Sequence, residues 1–190
     1  MAETALLVPV PEAEQWVRSL RERFDPVAKL GIPAHITVLF PFVAPELITD
    51  SVLARVSSAL GPLKSFAFTL QRIDRFPETC YLVPEPEDRF NAITHALTQE
   101  FPDCPPYGGR FAAVIPHLTV ADRSTVSASI AQIELAVAMK EAGSIHATCR
   151  HVELFDNSSG YWRWTHSFPL AESPKTSTTE KLVDRRHETG

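Results

Sequence analysis

"PAHITVLFPF", residues 33–42, and "IPHLTVAD", residues 115–122, decide how the rest of the chain is read. Both run from a proline to histidine, an apolar residue, threonine and valine, the first with Ala34 as a spacer. Alternate residues of a strand share a face, their Cα atoms about 6.5 to 7 Å apart. His35 therefore points with Thr37, and His117 with Thr119. Ile36, Val38 and Phe40 make the opposite face of the first strand apolar, and Pro41 ends it.

The flanking sequence sets these strands in a repeated order. "TALLVPV" reads as a strand, and "PEAEQWVRSLRERF" as a helix with Pro11 in its first turn. After the first motif, "APELITDSVLARVSSAL" is helical up to Gly61-Pro62, and "FAFTLQRI" and "TCYLVP" are strands. The second half repeats the pattern: helix "EDRFNAITHALTQEF", loop "PPYGGRF", the second motif strand, and helix "TVSASIAQIELAVAMK" ended at Gly143. "IHATCRHVELFD" and "YWRWTHSFPL" then follow as two strands around "NSSG". The marker histidines are separated by close to half of the chain, so the order predicts an α+β fold made of a duplicated β-α-β-α-β-β unit. One domain over residues 1–170 is expected, with lobes at about 1–80 and 81–170 and a disordered polar tail at 171–190.

Composition narrows the function classes. With 190 residues, 44% of them hydrophobic, the chain can bury a core without metals or disulfides. Cys80, Cys104 and Cys149 are scattered, with no CxxC pair, which fits a reducing cytoplasm. The N-terminus lacks a basic region and its apolar run is interrupted by Pro9 and Pro11, so a soluble cytoplasmic protein with no membrane contact is expected. A net charge of −5 argues against a long groove tracking many phosphates and leaves a nucleotide or an RNA end as the expected partner, bound by a monomer.

If the halves are related by a pseudo-twofold axis near the two motifs, two imidazoles flank a space lined by two hydroxyls. Such a space suits a tetrahedral anion. In-line displacement at phosphorus needs a base where the nucleophile enters and an acid where the leaving oxygen departs. Imidazoles with an ordinary pKa of about 6.5 supply both near neutral pH. The hydroxyls of Thr37 and Thr119 hold the non-bridging oxygens, and no metal or other cofactor is required.

Other residues carry weaker signals. Phe76, at a strand turn, offers a wall for base stacking, and Tyr107 sits in a loop able to close over a ligand. If Trp162 and Trp164 face the core, Tyr161 and Arg163 face the cleft. His146, Cys149 and His151 lie close in one expected strand, but a fourth metal ligand is missing. His95 and His187 have no evident partner. A nucleotide-binding module without turnover would use the same residues as an enzyme.

The paired "HITV" and "HLTV", with "LFPF", "RFPETCYLVPEP", "PPYGG" and "VIPHLTVAD" around them, resemble the 2H phosphoesterase superfamily, in its bacterial 2′-5′ RNA ligase-like branch. The resemblance covers about residues 4–171. It implies two antiparallel sheets facing each other across a central cleft, with helices outside. It also implies metal-independent hydrolysis of 2′,3′-cyclic phosphates or 2′-5′ linkages, with His35 and His117 as the acid and base pair and Thr37 and Thr119 on the phosphate. The sequence departs from the pattern in one place: many relatives carry a basic residue closely after the second motif, and here Asp122 stands before Arg123.

Overall fold

The computed structural model describes residues 2–173. Strand β1 (Thr4–Pro9) is followed by a short 3-10 turn opened by Pro11, then helix α1 (Glu14–Phe24) and β2 (His35–Leu39). Helix α2 (Asp50–Leu60) leads to the hairpin β3 (Phe66–Arg75) and β4 (Thr79–Glu85). Helix α3 (Glu87–Glu100), β5 (Leu118–Asp122), helix α4 (Thr125–Ala142), β6 (Ile145–Cys149), β7 (His151–Asp156) and β8 (Arg163–Pro169) complete the order. Two of the helices begin where side chains satisfy their free N–H groups: Thr49 accepts from Val52 N, and Ser124 and Ser127 form a reciprocal cap on α4. The expected helix at 44–60 is shortened because Thr49 takes that capping position.

All strands join one antiparallel sheet in the order β6-β3-β4-β5-β2-β1-β7-β8. The two motif strands meet at the middle of this order, where the β5–β2 junction consists of the single pair Ile36–Leu118. The two expected sheets are therefore two four-stranded walls of one continuous sheet. The lobes also differ from the expected sequence halves. One wall (β2, β1, β7, β8) combines the first motif with the C-terminal strands, and the other (β5, β4, β3, β6) combines the second motif with the β3–β4 hairpin. The reason lies in strand pairing: "TALLVP" finds partners in β2 and in β7, so the chain must return to its starting wall at the end. The expected single strand at 145–156 breaks at Arg150, and its halves, β6 and β7, stand on opposite walls.

The duplication extends to a fine detail of the ladder. β1 pairs Leu7 with Thr37 and Leu6 with Leu39, skipping Val38; β4 pairs Tyr81 with Thr119 and Cys80 with Ala121, skipping Val120. The same bulge thus sits one residue after each threonine, a device that re-aims side chains beside functional sites.

The helices cover the apolar face of the sheet. Helix α1 packs against β5 and α4, α3 against β2 and α2, so each motif strand is backed by a helix from the other repeat. Ile36, Val38, Leu118 and Val120 are buried in this core with Val17, Leu20, Phe90 and Leu135. A second, smaller cluster of Ala5, Leu7, Ile32, Phe155 and Trp162, with Phe40 packed against it, lies away from that core. This is why β1 is buried along almost its whole length and reads as a continuous apolar run. Trp162 N–H donates to Leu30 O at 2.7 Å. Gly31, at φ 93°, brings the backbone within reach of the Trp162 carbonyl, where a Cβ would sit at 3.2 Å. Of the expected tail, Ala171 is tied to Leu63, Lys64 and Ser65 by the backbone, while residues 174–190, His187 among them, lie outside the described residues.

Candidate active site

Both motif histidines are fixed in the same way. His35 Nδ1 lies 2.7 Å from Pro33 O, and His117 Nδ1 lies 2.7 Å from Ile115 O. A carbonyl only accepts, so each Nδ1 carries hydrogen and each neutral ring keeps Nε2 as its bare, basic nitrogen. Among the described residues neither Nε2, nor the hydroxyl of Thr37 or Thr119, hydrogen-bonds another protein group.

The junction between the walls brings the two motifs together. Ile36 is paired with Leu118 and both are fully buried, so the side chains one position to either side project from the opposite face. Antiparallel register sets Thr37 across from His117 and His35 across from Thr119. Two imidazoles and two hydroxyls thus meet around one twofold point.

Their surroundings differ. His117 stands beside a cavity of about 710 Å³ that Thr119 also lines. Its ring packs edge-on to Phe76, with centroids 5.4 Å apart, and 5.1 Å from Tyr81; Phe76 and Tyr81 are themselves 4.5 Å apart. Tyr107 and Phe111, in edge contact at 5.6 Å, form part of the facing wall. Tyr107 is held there by donating its N–H to Phe40 O, at the end of the first motif, in a left-handed conformation (φ 53°). Asp122 lines the same cavity and accepts a 2.7 Å hydrogen bond from Thr79 Oγ1. His35 and Thr37 are not among the residues that line this cavity.

The imidazoles are unequal. Burial disfavours a charged ring and pushes His35 down to about 4; the nearby Arg21 guanidinium and a proton on His117 act in the same direction. His117 is also lowered by burial, but the Asp122 carboxylate opposes the shift. Arg21 is itself buried, pairing with Asp25 at 3.0 Å and reaching Ile32 O with both terminal nitrogens at 3.3 Å. Burial raises Asp25, and Arg21 counteracts this.

The remaining sequence expectations divide. Phe76 and Tyr107 lie in the cavity. Tyr161 and Arg163 do not: both are exposed at the start of β8, an edge strand with β7 and β1 between it and β2. The strict alternation on which that expectation rested fails because β8 begins only at Arg163: Trp162 precedes the strand, tied to Leu30 and buried in the small cluster, while Trp164 stands exposed on the strand. Cys149 is buried, His151 pairs with Glu153 at 3.2 Å, and His146 lies on the other wall from His151. Arg123 turns away from Asp122 into a separate cavity shared with Lys29. Tyr81 and Asp122 were missed by sequence reasoning. Tyr81 sits in an apolar strand, and only its pairing with Thr119 gives it a place at the site.

An antiparallel sheet with two His-x-Thr segments meeting at its centre is an arrangement compatible with a phosphoesterase-type protein. The model of the 2′-5′ RNA ligase superfamily matches residues 9–160, and the chain belongs to that family, a branch of the 2H phosphoesterases. A Bacillus cytotoxicus protein named as a candidate phosphoesterase is 26% identical over 184 residues, covering 90% of this chain and 97% of that protein. Among solved structures, E. coli LigT complexed with 3′-AMP has a TM-score of 0.59 at 14% identity, over 88% of this chain and 97% of LigT. A Thermus thermophilus protein has a TM-score of 0.57 at 16% identity, over 90% of this chain and all of that one. Further LigT structures hold NADP+ and ATP. Among the described residues no helix is long and apolar enough to cross a membrane.

Proposed function

We propose that the chain hydrolyses a 2′,3′-cyclic phosphate or a 2′-5′ phosphodiester of a nucleotide or RNA end, using His35 as general base and His117 as general acid without a metal. The observation that carries this reading is the pair of Nδ1-anchored imidazoles flanking two unengaged threonine hydroxyls. The nucleotides held by LigT agree with a nucleotide-sized ligand.

Thr37 and Thr119 donate to the non-bridging oxygens and hold phosphorus between the rings. His35 Nε2 removes a proton from water as its oxygen forms a bond to phosphorus. The bond from phosphorus to one ribose oxygen breaks on the far side, and His117 Nε2–H delivers a proton to that oxygen. The products are a phosphomonoester and a free hydroxyl, with the two rings left in exchanged protonation states that solvent resets. The surroundings support this assignment: burial lowers both rings, His35 to about 4, while the Ile115 carbonyl and the Asp122 carboxylate oppose the shift on His117 and favour it as the proton donor. Phe76 and Tyr107 provide flat surfaces for the base of the substrate.

The test is hydrolysis of nucleoside 2′,3′-cyclic monophosphates in EDTA, with the product identified by phosphorus NMR. Turnover by wild type that is lost in both His35→Ala and His117→Ala is expected. Tight binding with no turnover of any cyclic phosphate or 2′-5′ dinucleotide would instead make the chain a nucleotide-binding module.

A further inference from the structure

The cavity beside His117 is unusual for a phosphate site in its charge. Its lining includes Glu78 and Asp122 but no lysine or arginine. Its walls are mostly apolar, formed by Phe76, Tyr107, Phe111, Val114 and Ile115. Of the nearby arginines, Arg110 stands exposed in the loop between Tyr107 and Phe111 without lining the cavity, and the others are directed elsewhere. Arg75 turns to Ser129 Oγ and to the carbonyls of Pro77 and Thr125. Arg72, further along the same wall, is surrounded by Asp74 at 3.0 Å, Glu87 at 2.8 Å and Glu85 at 3.9 Å. Arg123 and Lys29 line a different cavity that shares no residue with this one.

Building on the reading of the site as a phosphodiesterase, we infer that it selects substrates whose only negative charge near the cavity is the scissile diester, the remainder being neutral and flat, and that it discriminates against those with a further phosphate. A scissile diester carries one charge, which His117 and the threonine hydroxyls meet. A phosphomonoester elsewhere on the nucleoside adds about −1.5 to −2 at neutral pH. In this cavity it meets two carboxylates and apolar surface, with no lining cation to replace its lost hydration. A nucleoside 2′,3′-cyclic phosphate and a 2′-5′ dinucleoside monophosphate fit this description; ends bearing extra phosphates do not.

The experiment compares adenosine 2′,3′-cyclic phosphate with its 5′-phosphorylated counterpart and with a 5′-O-acetyl analogue of similar length. Both kcat/KM and affinity, by calorimetry, are measured in EDTA at two salt concentrations. The inference expects kcat/KM and affinity to be lower by about tenfold or more for the 5′-phosphate. The acetyl analogue should stay close to the parent, and the gap should narrow in high salt. Glu78→Gln should also narrow it. Equal or better use of the 5′-phosphate, or an equal loss with the acetyl group, overturns the inference. A selective loss of the 5′-phosphate substrate in Arg123→Gln also overturns it, since the extra phosphate would then be a recognised group. If wild type turns over none of the three, the hydrolytic reading falls, and the affinities alone decide the inference by the same criteria.

Discussion

The two walls of the sheet share their chemistry and differ in everything around it. Each offers a histidine anchored through Nδ1, a threonine two residues on, and a bulge at the following valine. On the first wall the residue paired with the threonine is Leu7, packed with Ile32, Phe155 and Trp162. On the second it is Tyr81, which packs with Phe76 and His117 beside the cavity. The cavity is built on the second wall, while His35 and Thr37 stay partly exposed on the first. On the proposed reading the difference teaches that symmetry serves the displacement, which needs matched groups on opposite sides of phosphorus, while a substrate that is not itself symmetric needs a binding surface on one wall alone.

The largest expected effects come from removing what the walls share. His35→Ala and His117→Ala should each lower kcat by about 10³-fold, within the range typical of general acid–base groups, and the double variant should be little worse than either single one, because the groups act in one step. Steady-state hydrolysis of a cyclic phosphate checks this. A comparable loss, in stability rather than rate, is expected in helix α1 behind the sheet. Arg21→Met leaves Asp25 buried without its partner and should destabilise the fold by about 3–5 kcal/mol, read by urea denaturation.

Smaller effects separate the walls. Thr37→Val and Thr119→Val each remove one donor to a charged oxygen and should cost about 10- to 100-fold in kcat/KM. Phe76→Ala should raise KM by about tenfold, the loss of one stacking surface, whereas Trp162→Ala on the opposite wall should lower stability and leave KM nearly unchanged.

The pH profile gives the finest distinction. The proposed mechanism needs His35 neutral and His117 protonated. In the free enzyme kcat/KM should therefore rise through about pH 4 as His35 loses its proton and fall below the ordinary imidazole pKa as His117 does. Asp122→Asn withdraws the charge that supports the proton on His117, so the alkaline limb should move to lower pH while the acid limb stays in place. The same depression affects folding. His35 is easier to protonate in the unfolded chain, so its contribution to stability is complete above about pH 6.5 and is lost as pH falls toward about 4.

Much of this was legible in the sequence because it is local. Period-2 alternation placed His35 with Thr37 and His117 with Thr119, and the caps and prolines marked most elements to within a few residues. Phe76 and Tyr107 were recognisable as aromatics at turns close to the motifs. The remainder depends on pairings between distant strands. Nothing in "TALLVP" says that it will bond β7, yet that pairing interleaves the strands of the two repeats. Alternation also cannot foresee where a strand begins or lies: β8 starts at Arg163 on the sheet edge, so Tyr161 and Arg163 stand with two strands between them and β2. Asp122 was visible as a departure from the family pattern, but its role beside His117 required the register of β5 against β4.

The central claim is that two matched histidines have been given unequal tasks by unequal walls. It is tested most directly with a nucleoside 4-nitrophenyl phosphodiester, whose leaving group departs without a proton, assayed on wild type, His35→Ala and His117→Ala. The account predicts that His117→Ala recovers most of the wild-type rate on this substrate while His35→Ala remains inactive. Equal loss in both variants, or recovery in His35→Ala alone, would contradict it.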